Sequence, residues 1–351
     1  MARRSVRTPH GIARHHLAQQ HGTARRRHGG LQDPPCRTRA RAGGSRGARL
    51  DSLVRILKSL RMNDNLLALP VLEQLAPSVT RRRIGEIPLL VVDHPRVRGA
   101  VSVQGAQLLS WQPAGSAPGL WLGERNTWVA GTPVRGGVPL CWPWFGTVAK
   151  PSHGFARTLD WDLVSHDTTE DGVVLVFRLE SSDVTRALWP HEFTLTTRIT
   201  LGETCGIEVE ASGEHRSTAA LHTYLQIGAL GEAEVSGLGK HYHDNLLATD
   251  GSDAGGAVTP ADHIERVYPE PDEVSVVTDR ALGRAVEIAH HGASDVIVWN
   301  PGPELAAGMA DLTDEDHLHF LCVETGRVST PLEAAPGRPA RLGLTLRLLP
   351  A

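Results

Sequence analysis

The sequence predicts an all-β protein, a large antiparallel sandwich or barrel, and three observations carry that expectation. From residue 62 onward the chain falls into roughly a dozen short runs that are either alternating or apolar. Clusters of Gly, Pro, Asp and Ser separate them, of the kind that form turns. No convincing amphipathic helix of more than about ten residues intervenes, which argues against a parallel sheet joined by helical crossovers.

Taken in order, the lead-in MNDNLLALPVLEQ fits a short helical turn or an extended segment equally well. Strands are then expected at 87–92, 97–103, 173–180, 193–201, 206–211, 219–228, 273–278, 284–290, 295–299, 318–323 and 341–348. No linker, low-complexity stretch or fixed-period repeat follows Met62, so 62–351 is expected to be a single domain. In such a sandwich the ligand is expected on one sheet face, met by strand side chains and by loops at its edge.

Charge divides the chain in two. Residues 1–61 hold 15 Lys and Arg against two acids, whereas the remaining 290 hold 21 against 37. The basic extension is poor in large apolar residues before Leu50 and is expected to be disordered, or to precede a true start at Met62. An organelle-targeting role and a nucleic-acid role are weaker readings, because Ser is scarce and no Phe, Trp or Tyr is present for base stacking. Residues 49–61 would make a short basic amphipathic helix. Cysteines 36, 141, 205 and 322 match no metal spacing and no disulfide framework, so a reducing, cytoplasmic location is expected. No run of eighteen apolar residues is present, so no membrane association is expected.

The stretch RGGVPLCWPWFGTVAKPSHGFAR, residues 135–157, reads as a site loop. Prolines 139, 143 and 151 interrupt backbone hydrogen bonding, which leaves Trp142, Trp144 and Phe145 as packing anchors. Gly136 and Gly137 would allow a close approach to a ligand and leave N–H groups for an anion. Arg135 and Arg157 would supply charge, and His153 a polar contact.

Two titratable residues interrupt apolar strands. For Glu324 in HFLCVETGRV the alternatives are an ion pair with Arg327 or an acid/base role. For His222 in AALHTYLQIG they are a hydrogen-bonded core histidine or a proton-transfer partner of Glu324. The pairs His241/His243 and His317/His319 would share a strand face. They lack a carboxylate or cysteine at ligand spacing, so solvent-facing histidines are expected and no metal. Asp244 suits a turn or a contact to a sugar hydroxyl. No Walker loop, dinucleotide fingerprint or GxSxG elbow is present, which removes nucleotide-dependent and serine-hydrolase chemistry as first choices.

RGGVPLCWPWFG, HGFAR, LHTYL, VIVWNP and FLCVE, in this order, closely resemble the hexose-6-phosphate mutarotase (glucose-6-phosphate 1-epimerase) family of the aldose 1-epimerase superfamily. LLALPVLEQ, LLVVDHPRVRGAVSVQGAQLLSWQPAG and LWLGE resemble its bacterial branch, and the similarity spans nearly all of 62–351. The resemblance implies a galactose-mutarotase-like antiparallel β-supersandwich that interconverts the α and β anomers of a hexose 6-phosphate without a cofactor. It implies His222 as the general acid at the ring oxygen and Glu324 as the general base at the anomeric hydroxyl. Arg135 and Arg157 would bind the phosphate, His153 would line the sugar pocket, and Asp244 is a further candidate contact. Gly302 departs from the pattern, standing where many relatives carry an aromatic residue. The expected partner is a small sugar phosphate, with a monomer the expected form; the alternative is a non-catalytic sugar-phosphate sensor on the same fold.

Overall fold

The computed structural model describes residues 64–253 and 256–350, within which 21 strands form three antiparallel sheets. The expectations for the extension 1–61 and its helix 49–61 lie outside the described residues. Glu73–Ala76, Val79–Ile84, Ile87–His94, Val97–Ser102 and Gln107–Pro113 make a five-stranded meander.

The second sheet has eight strands. Ala233–Ser236, Val274–Asp279, Arg284–His291, Ala340–Pro350, Thr204–Gly213, Phe193–Leu201, Val173–Glu180 and Asp162–Thr168 follow one another across it. The third runs Thr249–Ser252, His241–Asp244, Ile264–Pro269, Asp295–Asn300, Phe320–Ala334, His215–Leu221 and Leu140–Cys141, with Tyr224–Gln226 also paired to Phe320–Ala334. Each of the eleven expected strands overlaps an observed one, but 318–323 is the start of the longer Phe320–Ala334, and 219–228 falls across two strands, His215–Leu221 and Tyr224–Gln226. The lead-in takes the helical alternative at 64–68, and the α-helices Asp183–Leu188 and Gly302–Ala307 have six residues each.

Alternation sets what each sheet buries. Phe193, Leu195, Ile199 and Leu201 point into the main core with Leu175, Phe177, Ile207, Val209, Leu342, Leu344 and Leu346 from the neighbouring strands. Val296, Val298, Leu321 and Val323 of the third sheet enter the same core. The other face of those central strands is covered as well. Phe320, Cys322 and Tyr224 pack there with Trp121, Ala306, Leu312, Trp299 and Met309. Two covered faces explain why FLCV and VIVW read as continuous apolar runs.

The 135–157 stretch is anchored by packing, but with more ladder than its prolines suggest. Leu140–Cys141 pairs with Ala220 and Leu221 between Pro139 and Pro143. Trp142 is fully buried against Phe155, Trp189, Phe193 and His215, and its indole Nε1 donates to Ser217 Oγ at 3.0 Å. Trp144 is also buried, whereas Phe145 is only half-buried. Gly137 differs from expectation. Its N–H donates to the Trp121 carbonyl at 2.7 Å, so it is not available to an anion. A Cβ there, at φ 62°, would sit 2.1 Å from Leu108 O, so the glycine serves strand contact. Gly302 (φ 61°) is required similarly, since a Cβ would lie 2.6 Å from His263 N; the aromatic of relatives has no room.

Trp142→Ala removes the anchor of this stretch, and chemical denaturation is expected to show a stability loss of about 3–5 kcal/mol. A loss below about 1 kcal/mol would mean that the loop is held elsewhere.

Candidate active site

Sheet register brings His222 and Glu324 together. Leu221 pairs with Thr325 and Tyr224 with Cys322, so His222 in the short break between the two strands lies opposite Glu324. The break is bonded on both sides: His222 N–H donates to Pro139 O at 3.0 Å, and Val323 N–H to Thr223 O at 3.2 Å. Their side chains share the sheet face away from the main core, as alternation requires. His222 Nε2 stands 3.4 Å from Glu324 Oε1. That is longer than a well-formed hydrogen bond. His222 Nδ1 and Glu324 Oε2 have no hydrogen-bond partner among the described residues.

The same register extends across the sheet. One row runs Glu324, Ile297, Val267, His243; the adjacent row runs Tyr224, Cys322, Trp299, Glu265. Tyr224 stacks on the His222 ring at a centroid distance of 4.8 Å and 8°, while Trp299 meets it edge-on at 5.7 Å. The imidazole is therefore clamped in orientation by two aromatic faces.

Above this floor opens a cleft of about 900 Å³ lined by Arg135, His153, Arg157, His222 and Glu324, with Tyr224, Glu265, Trp299 and Asp311 among the other walls. That volume suits a small ligand such as a phosphorylated sugar. Five of the six site residues expected from sequence thus meet in one hollow, although 189 positions separate Arg135 from Glu324.

Asp244 does not join them. It is buried, its Oδ1 accepts the N–H groups of Leu246 and Leu247, and Oδ2 accepts from Arg266 Nε at 3.2 Å. It takes the turn alternative, and its neighbours His243 and Asn245 reach the cleft instead. Glu324 likewise makes no pair with Arg327, whose guanidinium donates to the carbonyls of Gly292 and Pro331. His317 and His319 fall in and just after a 3-10 turn, so they share no strand face. Among the described residues no three His, Cys, Asp or Glu side chains are grouped as metal ligands.

The two guanidiniums are held differently. Arg135 Nε donates to Asp311 Oδ2 at 2.9 Å and its Nη1 to Tyr224 Oη at 3.1 Å, which leaves Nη2 for a ligand. Arg157 Nη2 donates to Ser152 O at 2.9 Å, and its buried Nε has no partner among the described residues. His153 closes a small loop: its N–H donates to Gly146 O, and Gly146 N–H to His153 Nδ1 at 3.3 Å. Accepting at Nδ1 assigns the proton to Nε2. The residue has φ 63°, a left-handed conformation uncommon for a side chain of this size and frequent at ligand sites.

Burial dominates the electrostatics. Desolvation, then the nearby His153, Arg157 and Arg135, hold the His222 imidazole well below its usual range. Desolvation and the Glu265 charge push the Glu324 carboxyl well above the usual carboxylate range, against the pull of Arg157. Both shifts favour the uncharged forms, a neutral imidazole beside a protonated carboxyl. Burial, Arg157 and Arg135 lower His153 to about 4.

Sequence reasoning passed over Glu265, Asn245, Trp299 and Asp311. Trp299 lay within the VIVWNP motif, but Glu265 sits in a strand that the pattern did not mark. Asp311 is carried by the 302–319 segment. Asn300 pins that segment by donating to the His317 and Phe320 carbonyls and accepting from Gly302 N–H.

Residues 88–347 match the family model described as aldose 1-epimerase. A Salmonella typhimurium protein provisionally named glucose-6-phosphate 1-epimerase is 44% identical over 289 residues, covering 81% of this chain and 98% of that one. A crystal structure of a provisional mutarotase from Salmonella typhimurium superposes with TM-score 0.81 and 44% identity, over 83% of this chain and 100% of that one. A galactose mutarotase-like protein from Lactobacillus casei, with TM-score 0.57, 14% identity and coverage of 74% and 99%, shares the fold alone. The architecture is thus the galactose-mutarotase-like antiparallel β-supersandwich. The chain belongs to the aldose 1-epimerase family and is an isomerase of that type.

A histidine lowered to about 4 stays neutral in the folded protein while its unfolded counterpart takes up a proton near pH 6.5. The His153 contribution to stability therefore falls as pH drops from about 6.5 towards about 4. NMR titration is expected to leave the His153 ring signals unmoved between pH 5.5 and 8. A midpoint near 6.5 would contradict this environment.

Proposed function

We propose that the protein interconverts the α and β anomers of a hexose 6-phosphate, glucose 6-phosphate foremost, by general acid/base opening and closing of the ring. The observation that carries this reading is the His222–Glu324 contact across one register row, with the guanidiniums of Arg135 and Arg157 in the same cleft. The provisional name of the Salmonella relative supports the substrate class.

Glu324 takes the proton of the anomeric hydroxyl as His222 gives one to the ring oxygen. The C1–O5 bond breaks, C1 becomes an aldehyde, and rotation about C1–C2 presents its other face. Closure reverses both transfers. The pair holds a single mobile proton throughout: carboxylate and imidazolium over the closed ring, carboxyl and neutral imidazole over the open chain. No proton need leave for solvent, and no metal, nucleotide or covalent intermediate is called upon. Burial favours the uncharged form of the pair, the one that belongs with the open chain. A phosphate dianion beside Arg135 and Arg157 offsets their repulsion of the imidazolium and favours the other form. Binding and catalysis are coupled in this way.

The phosphate is held by Arg157 through Nη1 and by Arg135 through Nη2, with Asp311 and Tyr224 fixing the Arg135 fork. His153 lines the sugar's path as a neutral ring. The enzyme is cytoplasmic in this reading, in keeping with the buried, unpaired Cys141, Cys205 and Cys322 among the described residues, and none of its described helices is long and apolar enough to cross a membrane.

Glu324→Gln and His222→Ala are each expected to slow catalysed anomer exchange at least about 100-fold, read by NMR exchange spectroscopy, while glucose 6-phosphate still binds. Undiminished exchange in either variant would sink the assignment. Arg157→Ala is expected to raise KM for glucose 6-phosphate about tenfold or more with a smaller change in kcat. A loss confined to kcat would place the phosphate elsewhere.

A further inference from the structure

The His222 ring lacks the bond that commonly orients a proton-transfer histidine, a hydrogen bond at the nitrogen that does not react. Nε2 faces Glu324 at 3.4 Å, and Nδ1 has no partner among the described residues. Ring contacts have to set the plane instead. Trp299 and His153 meet the imidazole edge-on, at 5.7 and 5.8 Å, whereas Tyr224 lies parallel to it at 4.8 Å and 8°. Tyr224 follows His222 by two positions, so both side chains face the cleft.

Tyr224 is itself held at both ends. It is 2% exposed, and its ring is backed by Trp121 at 5.8 Å and by Phe320 at 5.2 Å. Its hydroxyl accepts from Arg135 Nη1 at 3.1 Å, and Arg135 Nε donates to Asp311 Oδ2 at 2.9 Å. Asp311, Arg135, Tyr224 and His222 therefore form one file of contacts that leads from the arginine end of the cleft to the imidazole.

We propose that Tyr224 is a positioning residue through which an anion on Arg135 orders the His222 imidazole for proton transfer. This rests on the hexose-phosphate reading, in which the anion is the substrate's own phosphate. The Arg135–Asp311 pair is partly exposed, so water competes for it and the guanidinium is loosely set. A dianion on the open Nη2 fixes the plane of the fork. Nη1 then holds the Tyr224 hydroxyl. Stacked rings have no directional bond against sliding, and the hydroxyl supplies one at the far end of the tyrosine ring. Binding energy from a remote part of the substrate reaches the reacting centre in this way.

The test compares the full unaltered chain with Tyr224→Phe, which keeps the ring and loses the hydroxyl, and Tyr224→Leu, which loses both; thermal melts verify folding. Saturating inorganic phosphate is expected to move the His222 ring signals of the unaltered protein in aromatic NMR. Tyr224→Phe is expected to bind phosphate with less than about a third of that movement. With glucose 6-phosphate, Tyr224→Phe is expected to lower kcat about tenfold and leave KM within about threefold, one hydrogen bond to a charged group being lost. Tyr224→Leu is expected to lower kcat at least about 100-fold. An undiminished movement in Tyr224→Phe would mean that the field of the anion reaches His222 directly, which overturns the proposal. No movement in the unaltered protein overturns it as well. A kinetic change confined to KM, or loss of phosphate binding in Tyr224→Phe, would make the hydroxyl a mere ligand and has the same consequence. If the His222 signals respond through Tyr224 but the unaltered protein does not accelerate glucose 6-phosphate exchange, the linkage stands and the underlying reaction falls.

Discussion

Cross-strand register is the constraint on which the rest depends. His222 and Glu324 are far apart in sequence, and they face each other because Leu221–Thr325 and Tyr224–Cys322 are partners on either side of them. A slip of one residue would turn Glu324 into the main core and Val323 into the cleft. The surroundings oppose such a slip: Leu321 and Val323 fill the core on one face, while Phe320 and Cys322 pack under Trp121 and Tyr224 on the other. Packing of ordinary apolar side chains thus fixes the relative placement of the two proposed proton-transfer groups.

That placement carries an electrostatic cost, because burial favours the uncharged forms of both groups. An ionised carboxylate in this position would need full hydrogen bonding to be tolerated. Glu324 has one loose contact, at 3.4 Å, and burial raises its proton affinity. His222, stacked on Tyr224 and edged by Trp299, is held for geometry with its proton affinity depressed. The arginines at one end of the cleft and Glu265 at the other set a gradient of charge across this neutral centre. A ligand that is anionic at one end and rich in hydroxyls at the other matches the gradient.

Much of the framework was legible because central strands carry strong patterns. FTLTTRITL alternates and VIVW is continuously apolar, and each becomes a strand with the burial its pattern implies. Edge and hairpin strands escaped notice because their faces are wet. Asp162–Thr168 has no fully buried residue, Val79–Ile84 holds three consecutive arginines, and His241–Asp244 is mostly polar. The expected strand 219–228 proved to be two, broken at His222–Thr223, where the chain turns the His222 side chain to the cleft. At the site, His222 and Glu324 stood out as titratable residues inside apolar runs. Glu265 did not, because HIERVYPE offered no strand in which its burial would be remarkable. Asp244 had two possible uses, and its bonding to the Leu246 and Leu247 amides selects the turn, a local choice that spacing does not encode.

The most direct test is a crystal structure of the protein with glucose 6-phosphate bound. The account predicts the ring oxygen within hydrogen-bond reach of His222, the anomeric oxygen within reach of Glu324, and the phosphate on Arg135 and Arg157. A phosphosugar lying outside this cleft, or one whose phosphate points toward Glu265 with its anomeric carbon away from Glu324, would contradict it.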